Sequence, residues 1–394
     1  MNPYAPGAGT QPPELAGRDG IIQKVAIALD RCRNGLSARG FLMVGLRGVG
    51  KTVLLTYLAQ NAEAQGFAVL SIEVPERRSL PALIIPALRS TLLKVDRMSA
   101  SSVLVKKALR VLSGFVEAMK VKYADVEFSV NLEKQSGIAD SGDLEHDLIE
   151  LFMEVGEAMK EKKTALVLFI DEIQYIQEDQ FAALIMALHK CTQRQLPVLL
   201  IGAGPPQLIG QAGRAKSYAE RLFEYPEIGP LSREAASDAL KIPAARLAVE
   251  YAESALSEIL RQTQAYPYFI QEWGKHCWDV AKYSPITLKD AKFAAELAIS
   301  DLDSSFFRVR FDRLTAAEKK YLRAMAELES ESCRSGDIAH LLQKEVQAVA
   351  PVRAALIAKG IIYSLSHGES SFTVPLFGAY LKRVAPDFSD LFDI

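Results

Sequence analysis

The sequence predicts an α/β fold: a parallel sheet covered on both faces, then a helical unit, then a small module of helices closed by a hairpin. Three observations predict it. From Gly40 onward, short continuous apolar runs alternate with longer helix-patterned stretches, as buried parallel strands and their crossovers require. A glycine-rich turn joins the first run to the first helix. After Pro230 the apolar runs stop and helical periodicity takes over.

The elements follow in chain order. Residues 1–13, rich in proline and glycine, read as a flexible leader. Residues 41–44 form the first strand, and a helix spans about 52–65. The second strand is 67–74, the third 165–171, the fourth 196–203, and 223–228 is a weaker fifth. Between the second and third strands lies a long insertion, 75–163. It contains helices near 80–95 and 102–119, an alternating piece at 124–132 that reads as an added hairpin or edge strand, and a capped helix ending near Lys160. Residues 232–240, 253–263, 267–282 and 287–299 read as helices. From Leu314 the pattern changes. Thr315 and Glu318 fit a capping box, helices follow at 318–327, 338–342 and 347–358, and then two strands at 361–364 and 371–374. Three helices and then a hairpin is the order of a winged helix.

Composition excludes several classes. The 394 residues carry 46 Lys+Arg against 48 Asp+Glu, a net charge of −2 that rules out coating nucleic acid by charge alone. With 24% charged and 8% aromatic residues, the chain is neither collagen-like nor disordered throughout. Cys32, Cys191, Cys277 and Cys333 are far apart, as are the five histidines, so no zinc motif is written and reduced thiols of a cytoplasmic protein are expected. No apolar run reaches the roughly 18 residues of a membrane span, and the N-terminus lacks the pattern of a signal peptide.

Two motifs carry chemistry. Gly45-Leu46-Arg47-Gly48-Val49-Gly50-Lys51-Thr52 follows an apolar strand and opens a helix. Its spacing, G-x-x-x-x-G-K-[ST], is that of a phosphate-binding loop. Gly45, Gly48 and Gly50 let the backbone turn its N–H groups inward around phosphate oxygens, and Arg47 and Val49 complete the cradle. Lys51 would reach the β- and γ-phosphates, and the Thr52 hydroxyl would ligate Mg²⁺. The second motif is the third strand, which ends in Asp171-Glu172 at the end where open α/β sheets bind ligands. Asp171 would hold the Mg²⁺, and Glu172 would orient and deprotonate the attacking water.

With Glu14-Leu15-Ala16-Gly17-Arg18-Asp19 ahead of the first strand, these motifs make the chain resemble the AAA+/STAND group of P-loop ATPases. Origin-recognition-like initiators and related archaeal and bacterial ATPases are the nearest likenesses. The resemblance covers about residues 14–230 and extends as architecture to the C-terminus. It implies a P-loop NTPase (AAA+-like) core at 14–230, a helical lid at 231–313 and a C-terminal winged-helix domain at 314–394. It also implies ATP and Mg²⁺ as cofactors, a homo-oligomer, and Leu15, Ala16, Gly17 and Arg18 near the adenine.

Other family positions are altered. The fourth strand ends Gly202-Ala203-Gly204 where the family carries a polar sensor, and Gln207 is the polar substitute nearby. Arg221 resembles the arginine finger that reaches a neighbouring subunit's nucleotide, with Arg214 and Arg233 as rivals. Ala265-Tyr266-Pro267 resembles the lid's G-x-P helix start, with Ala265 in place of glycine and Tyr266 and Pro267 packing near the nucleotide. No arginine follows Pro267 in that helix, though Lys275 does. Trp273 and Trp278 read as core.

The resemblance leaves two outputs open: an ATPase that acts on duplex DNA through the winged helix, or a STAND-like signalling switch whose winged helix binds protein, with slow or no hydrolysis. A small-molecule kinase is a weaker third reading. Residues 315–385 hold 9 Lys+Arg and 7 Asp+Glu; the recognition segment 343–359 offers Lys344, Arg353 and Lys359 against Glu345, and the wing tip His367 and Glu369. That is not a basic stripe.

Overall fold

The buried apolar runs assemble into one parallel sheet in the computed structural model, which describes residues 1–7, 9–98, 102–119, 137–330, 332–364 and 368–386. The chain divides into two units. An α/β unit holds Gly17–Gly45 and Gly50–Gly229, and a helical unit holds Met1–Ala16, Leu46–Val49 and Pro230–Ile394.

The α/β unit runs α1 (Asp19–Arg33), β1 (Gly40–Val44), α2 (Lys51–Ala64), β2 (Ala68–Glu73), α3 (Leu80–Met98), α4 (Val103–Ala118), α5 (Leu144–Glu161), β3 (Leu166–Asp171), α6 (Glu178–Gln193), β4 (Val198–Gly204), α7 (Leu208–Ala215), α8 (Ala219–Leu222) and β5 (Phe223–Glu224). Strand order is β2-β3-β4-β1-β5, every pairing parallel. All residues of β1, β3 and β4 are buried, which requires cover on both faces. The edge strand β2 is partly exposed. The expected strands are present, with the fifth much shorter. Pro226 has no N–H to donate, so the ladder lapses after Glu224; Val44 then donates to the Pro226 carbonyl (3.0 Å) and accepts from Ile228 (2.7 Å).

The insertion between β2 and β3 folds as α3, α4 and α5, whose apolar faces join the core of the sheet through Leu88, Leu112, Phe115 and Phe152. Ser102 caps α4 by accepting from the Val105 N–H at 3.1 Å, and Asp143 caps α5 through the His146 N–H at 2.8 Å. The alternating piece expected at 124–132 lies outside the described residues.

In the helical unit, α9 (Arg233–Ala245), α10 (Glu253–Thr263), α11 (Pro267–Val280) and α12 (Leu288–Asp301) pass through a π-helical turn, Leu302–Phe307, into α13 (Arg308–Asp312). Then come α14 (Ala316–Glu327), β6 (Cys333–Arg334), α15 (Ser335–Leu341), α16 (Val346–Ala358), β7 (Ile362–Tyr363), β8 (Glu369–Phe372) and α17 (Phe377–Val384). Strands β6, β8 and β7 form a small antiparallel sheet, β8 in the middle. β6 is absent from the sequence reading, because two residues leave no periodicity to see. The predicted capping box at Thr315/Glu318 forms, and Thr287, whose sequence marks it only as an N-cap, forms a second complete box with Asp290. Trp273 is core, 1% exposed, and Trp278 is half-buried.

The leader departs from its expected flexibility. Tyr4 is 5% exposed; its ring lies against Gly274 of α11, where an added Cβ would come within 2.7 Å of it. Asn2 donates to the Lys275 carbonyl (3.0 Å), and the Ala5 N–H donates to the Gln271 side chain (3.3 Å). One aromatic ring that finds a pocket outweighs the local preference of proline and glycine for disorder. All four cysteines are free and buried.

Candidate nucleotide site

The turn after β1 needs backbone that only glycine adopts without strain. Gly48 and Gly50 have φ of 84° and 90°, and Gly50 immediately precedes α2. The N–H groups of the first turn of α2, including those of Lys51 and Thr52, are thereby open to an anion. Lys51 Nζ donates to the Gly45 carbonyl at 3.0 Å, so the loop carries its cation folded over itself. The Gly45 N–H bonds to Gly204 at the end of β4 (3.2 Å), joining loop and sheet.

Across β4 lies the end of β3. Asp171 is 7% exposed, and the Thr52 hydroxyl hydrogen-bonds to its carboxylate. Burial holds the Asp171 carboxyl above the ordinary carboxylate range, against the Thr52 hydroxyl, the Glu172 N–H (2.9 Å) and the charge of Lys51. A hydroxyl and a buried carboxylate side by side form an oxygen donor set suited to a hard divalent cation. Glu172 follows in left-handed backbone, φ 50°, a strained conformation for a residue with a side chain. Its carboxylate accepts a hydrogen bond from the Gln174 amide.

The α/β unit thus brings together Gly45, Gly50, Lys51, Thr52, Asp171 and Glu172. It also contains Gly17, at φ 69°, and Arg18, half-buried and donating to the Gly229 carbonyl at 2.7 Å. Arg221 is exposed on α8. Its rivals are otherwise engaged: Arg214 pairs with Glu178 at 3.7 Å, and Arg233 donates to Ser257 at 3.0 Å.

Leu15, Arg47, Gly48, Val49 and Pro267 belong to the helical unit. There the Tyr266 hydroxyl donates to the Arg47 carbonyl, and an added Cβ on Gly48 would come within 2.9 Å of the Tyr266 ring. Pro267 opens α11, as expected of a residue with no N–H to satisfy. Ala265 has φ 53°, the left-handed backbone for which the family keeps glycine. Two residues escaped the sequence reading. Gln174 is one; an amide two positions beyond the paired carboxylates was its signal. Arg310 is the other, and no motif marks it. Burial pushes its guanidinium down to about 10, the Arg47 charge acts the same way, and it stacks on Phe306 at 3.7 Å. Gln207, the expected polar substitute at the end of β4, is exposed; Gln174 reaches that strand end instead.

Residues 14–201 match the AAA ATPase domain family. Residues 304–381 match a domain of unknown function, DUF8462. Among solved structures, a Walker-type ATPase of Pyrococcus abyssi is similar at 16% identity and a TM-score of 0.57, over 95% of this chain and 97% of that one. Cdc6p from Pyrobaculum aerophilum is similar at 14% identity, TM-score 0.45, over 98% and 97%. The Orc1 protein of Aeropyrum pernix in complex with DNA is similar at 16%, TM-score 0.45, over 96% and 95%. At such identities the likeness is one of fold. No curated protein matches the chain. No helix among the described residues is long and apolar enough to cross a membrane.

Proposed function

We propose that the chain binds ATP with Mg²⁺ and hydrolyses it, and that the nucleotide state sets a conformational or oligomeric switch. The observation that carries this reading is the Thr52 hydroxyl on the buried Asp171 carboxylate, beside Lys51 and the open N-terminus of α2. Within the α/β unit, Gly45, Gly50 and the first-turn N–H groups of α2 receive the phosphates, and Gly17 and Arg18 are its candidates to meet the base. Thr52 and Asp171 would hold the Mg²⁺, whose charge would offset that of the phosphates. Lys51 leaves the Gly45 carbonyl for the β- and γ-phosphates. Glu172 takes a proton from water as the water oxygen bonds to the γ-phosphorus and the bond to the ADP oxygen breaks. Arg221, exposed on α8, serves as the arginine finger in a second copy of the chain.

The C-terminal module reads as a winged helix, and its chemistry favours a protein-binding output over duplex DNA. Two of the three cations of the recognition segment are spent inside the module. Arg353 donates to Ser370 (2.7 Å), Ser364 (2.8 Å) and the Glu369 carbonyl (2.8 Å), and Lys359 pairs with Glu318 at 2.7 Å. Few phosphate contacts remain to drive counterion release.

ATPase assays test the first part. Wild type turns over, Lys51→Ala loses ATP binding, and Glu172→Gln keeps ATP but loses about 100-fold or more in kcat. Turnover undiminished in Glu172→Gln would remove Glu172 from the mechanism. For the output, duplex DNA binding measured across a salt series is expected to be absent or flat; a steep negative slope would restore the DNA-acting reading.

A further inference from the structure

We infer that Gln174 is the positioning residue for Glu172, supplying from the turn after β3 the polar group that the end of β4 lacks. The inference rests on the hydrolysis reading above. The strand β4 stands between β3 and β1, so its end lies between Asp171 and the phosphate loop, yet Gly202-Ala203-Gly204 offers no hydrogen-bonding side chain.

Gln174 occupies that place. A Cβ built on Gly204 would come within 2.9 Å of Gln174 Oε1, so glycine at 204 is what lets the amide lie over the strand end. From there Gln174 Nε2 donates to Glu172 Oε2. The reverse amide orientation would set two oxygens against each other, so the carboxylate fixes which way the amide points.

The amide is held on a pinned backbone. Residues Ile173–Tyr175 form a 3-10 turn. From α7, Gln211 donates to the carbonyls of Gln174 (3.2 Å) and Ile176 (3.1 Å). Gln174 Oε1 is itself buried without a hydrogen-bond partner among the described residues, an arrangement that carries a desolvation cost. An apolar side chain would fill the same space without that cost. What the amide adds is its hold on Glu172.

That hold has a defined consequence. One carboxylate oxygen is tied by Gln174, so the rotation of Glu172 is restricted and the other oxygen keeps a constant aim for the water. ATP affinity depends on Lys51, Thr52 and the loop, whereas the amide of Gln174 bonds to Glu172. Removing the amide therefore strikes kcat and spares binding.

The test compares Gln174→Ala, Gly204→Ala and the double variant, reading ATP affinity and steady-state kcat in the full chain. Gly204→Ala displaces the amide without deleting it. Each single variant is expected to lower kcat about 10-fold or more while the ATP Kd stays within about twofold, since small misplacements of reacting groups cost this much. The double variant is expected to be no slower than Gln174→Ala, because both changes remove one contact. A Gln174→Ala enzyme within twofold of wild-type kcat overturns the inference and leaves the hydrolysis reading standing. Multiplying losses in the double variant, or ATP affinity falling in step with kcat, also overturn it, since a packing role produces those results. A wild type that binds ATP without turnover overturns both.

Discussion

The Tyr251 hydroxyl donates to the Tyr4 hydroxyl at 2.9 Å, and Tyr4 donates in turn to the Leu240 carbonyl at 2.6 Å. Burial pushes the Tyr4 hydroxyl's pKa well above the ordinary tyrosine value, so the pair acts as neutral donors and acceptors. The first residues of the chain are thus part of the helical unit's core. Tyr4→Ala is expected to destabilise that unit by about 3–5 kcal/mol, the range for truncating a large buried aromatic. Tyr4→Phe keeps the ring and costs about 1–3 kcal/mol by orphaning the Tyr251 hydroxyl. Both tryptophans, Trp273 and Trp278, lie on α11, so urea unfolding followed by tryptophan fluorescence reads this unit directly. An unchanged midpoint in Tyr4→Ala would return the leader to the status of a loose tail.

Gly156 of α5 faces Leu196 so closely that an added Cβ would sit 2.8 Å from the Leu196 Cβ, where neither backbone-bound atom can swing aside. Gly156→Ala therefore overpacks the α/β unit. A loss of about 1–3 kcal/mol is expected, despite alanine's better helix propensity. Thermal unfolding by circular dichroism checks the sign, and a stabilised variant would contradict the packing.

Acid sensitivity of the C-terminal module is expected to centre on Glu318, which is 4% exposed. Burial alone would raise its carboxyl, but Lys359 and the Thr315 N–H (both 2.7 Å) prevail and hold it below the ordinary glutamate value. A depressed folded-state value means stability that is present above the unfolded value of about 4.3 and lost as pH falls through the folded one. Glu318→Gln should cost about 1–3 kcal/mol at pH 7 and flatten the acid limb of the stability curve. Parallel acid limbs for variant and wild type would sink this assignment.

Arg353 bridges α16 to the β7–β8 hairpin through three hydrogen bonds. If its work is internal, Arg353→Ala lowers the module's melting temperature, with a cost of about 1–3 kcal/mol from the orphaned partners. Lys344→Ala, at an exposed cation with no ion pair among the described residues, stays within about 0.5 kcal/mol of wild type. Loss of a nucleic-acid or anion affinity in Arg353→Ala, with its stability unchanged, would reverse the assignment.

Local sequence was sufficient wherever one stretch of chain carries its own physical instruction. The buried parallel strands, the glycine-bearing phosphate loop, the Asp171-Glu172 strand end and the capping box at Thr315 all follow from patterns a few residues long. Hydrophobic periodicity and backbone preference act at that range. The brief β5 was overstated because Pro226 interrupts a run that looks apolar throughout, and two-residue β6 exists only because Ser370 and Glu369 of β8 pair with it. Tertiary structure decided what depends on residues brought together from afar. Tyr4 is anchored by groups more than 230 positions away, and Arg353 and Lys359 are cations by sequence but internal struts by contact. Gln174 stands over a strand end thirty residues further along the chain because Gly204 leaves room for it. Composition cannot record such facts, since a hydrogen bond across the fold depends on where the backbone places its two ends.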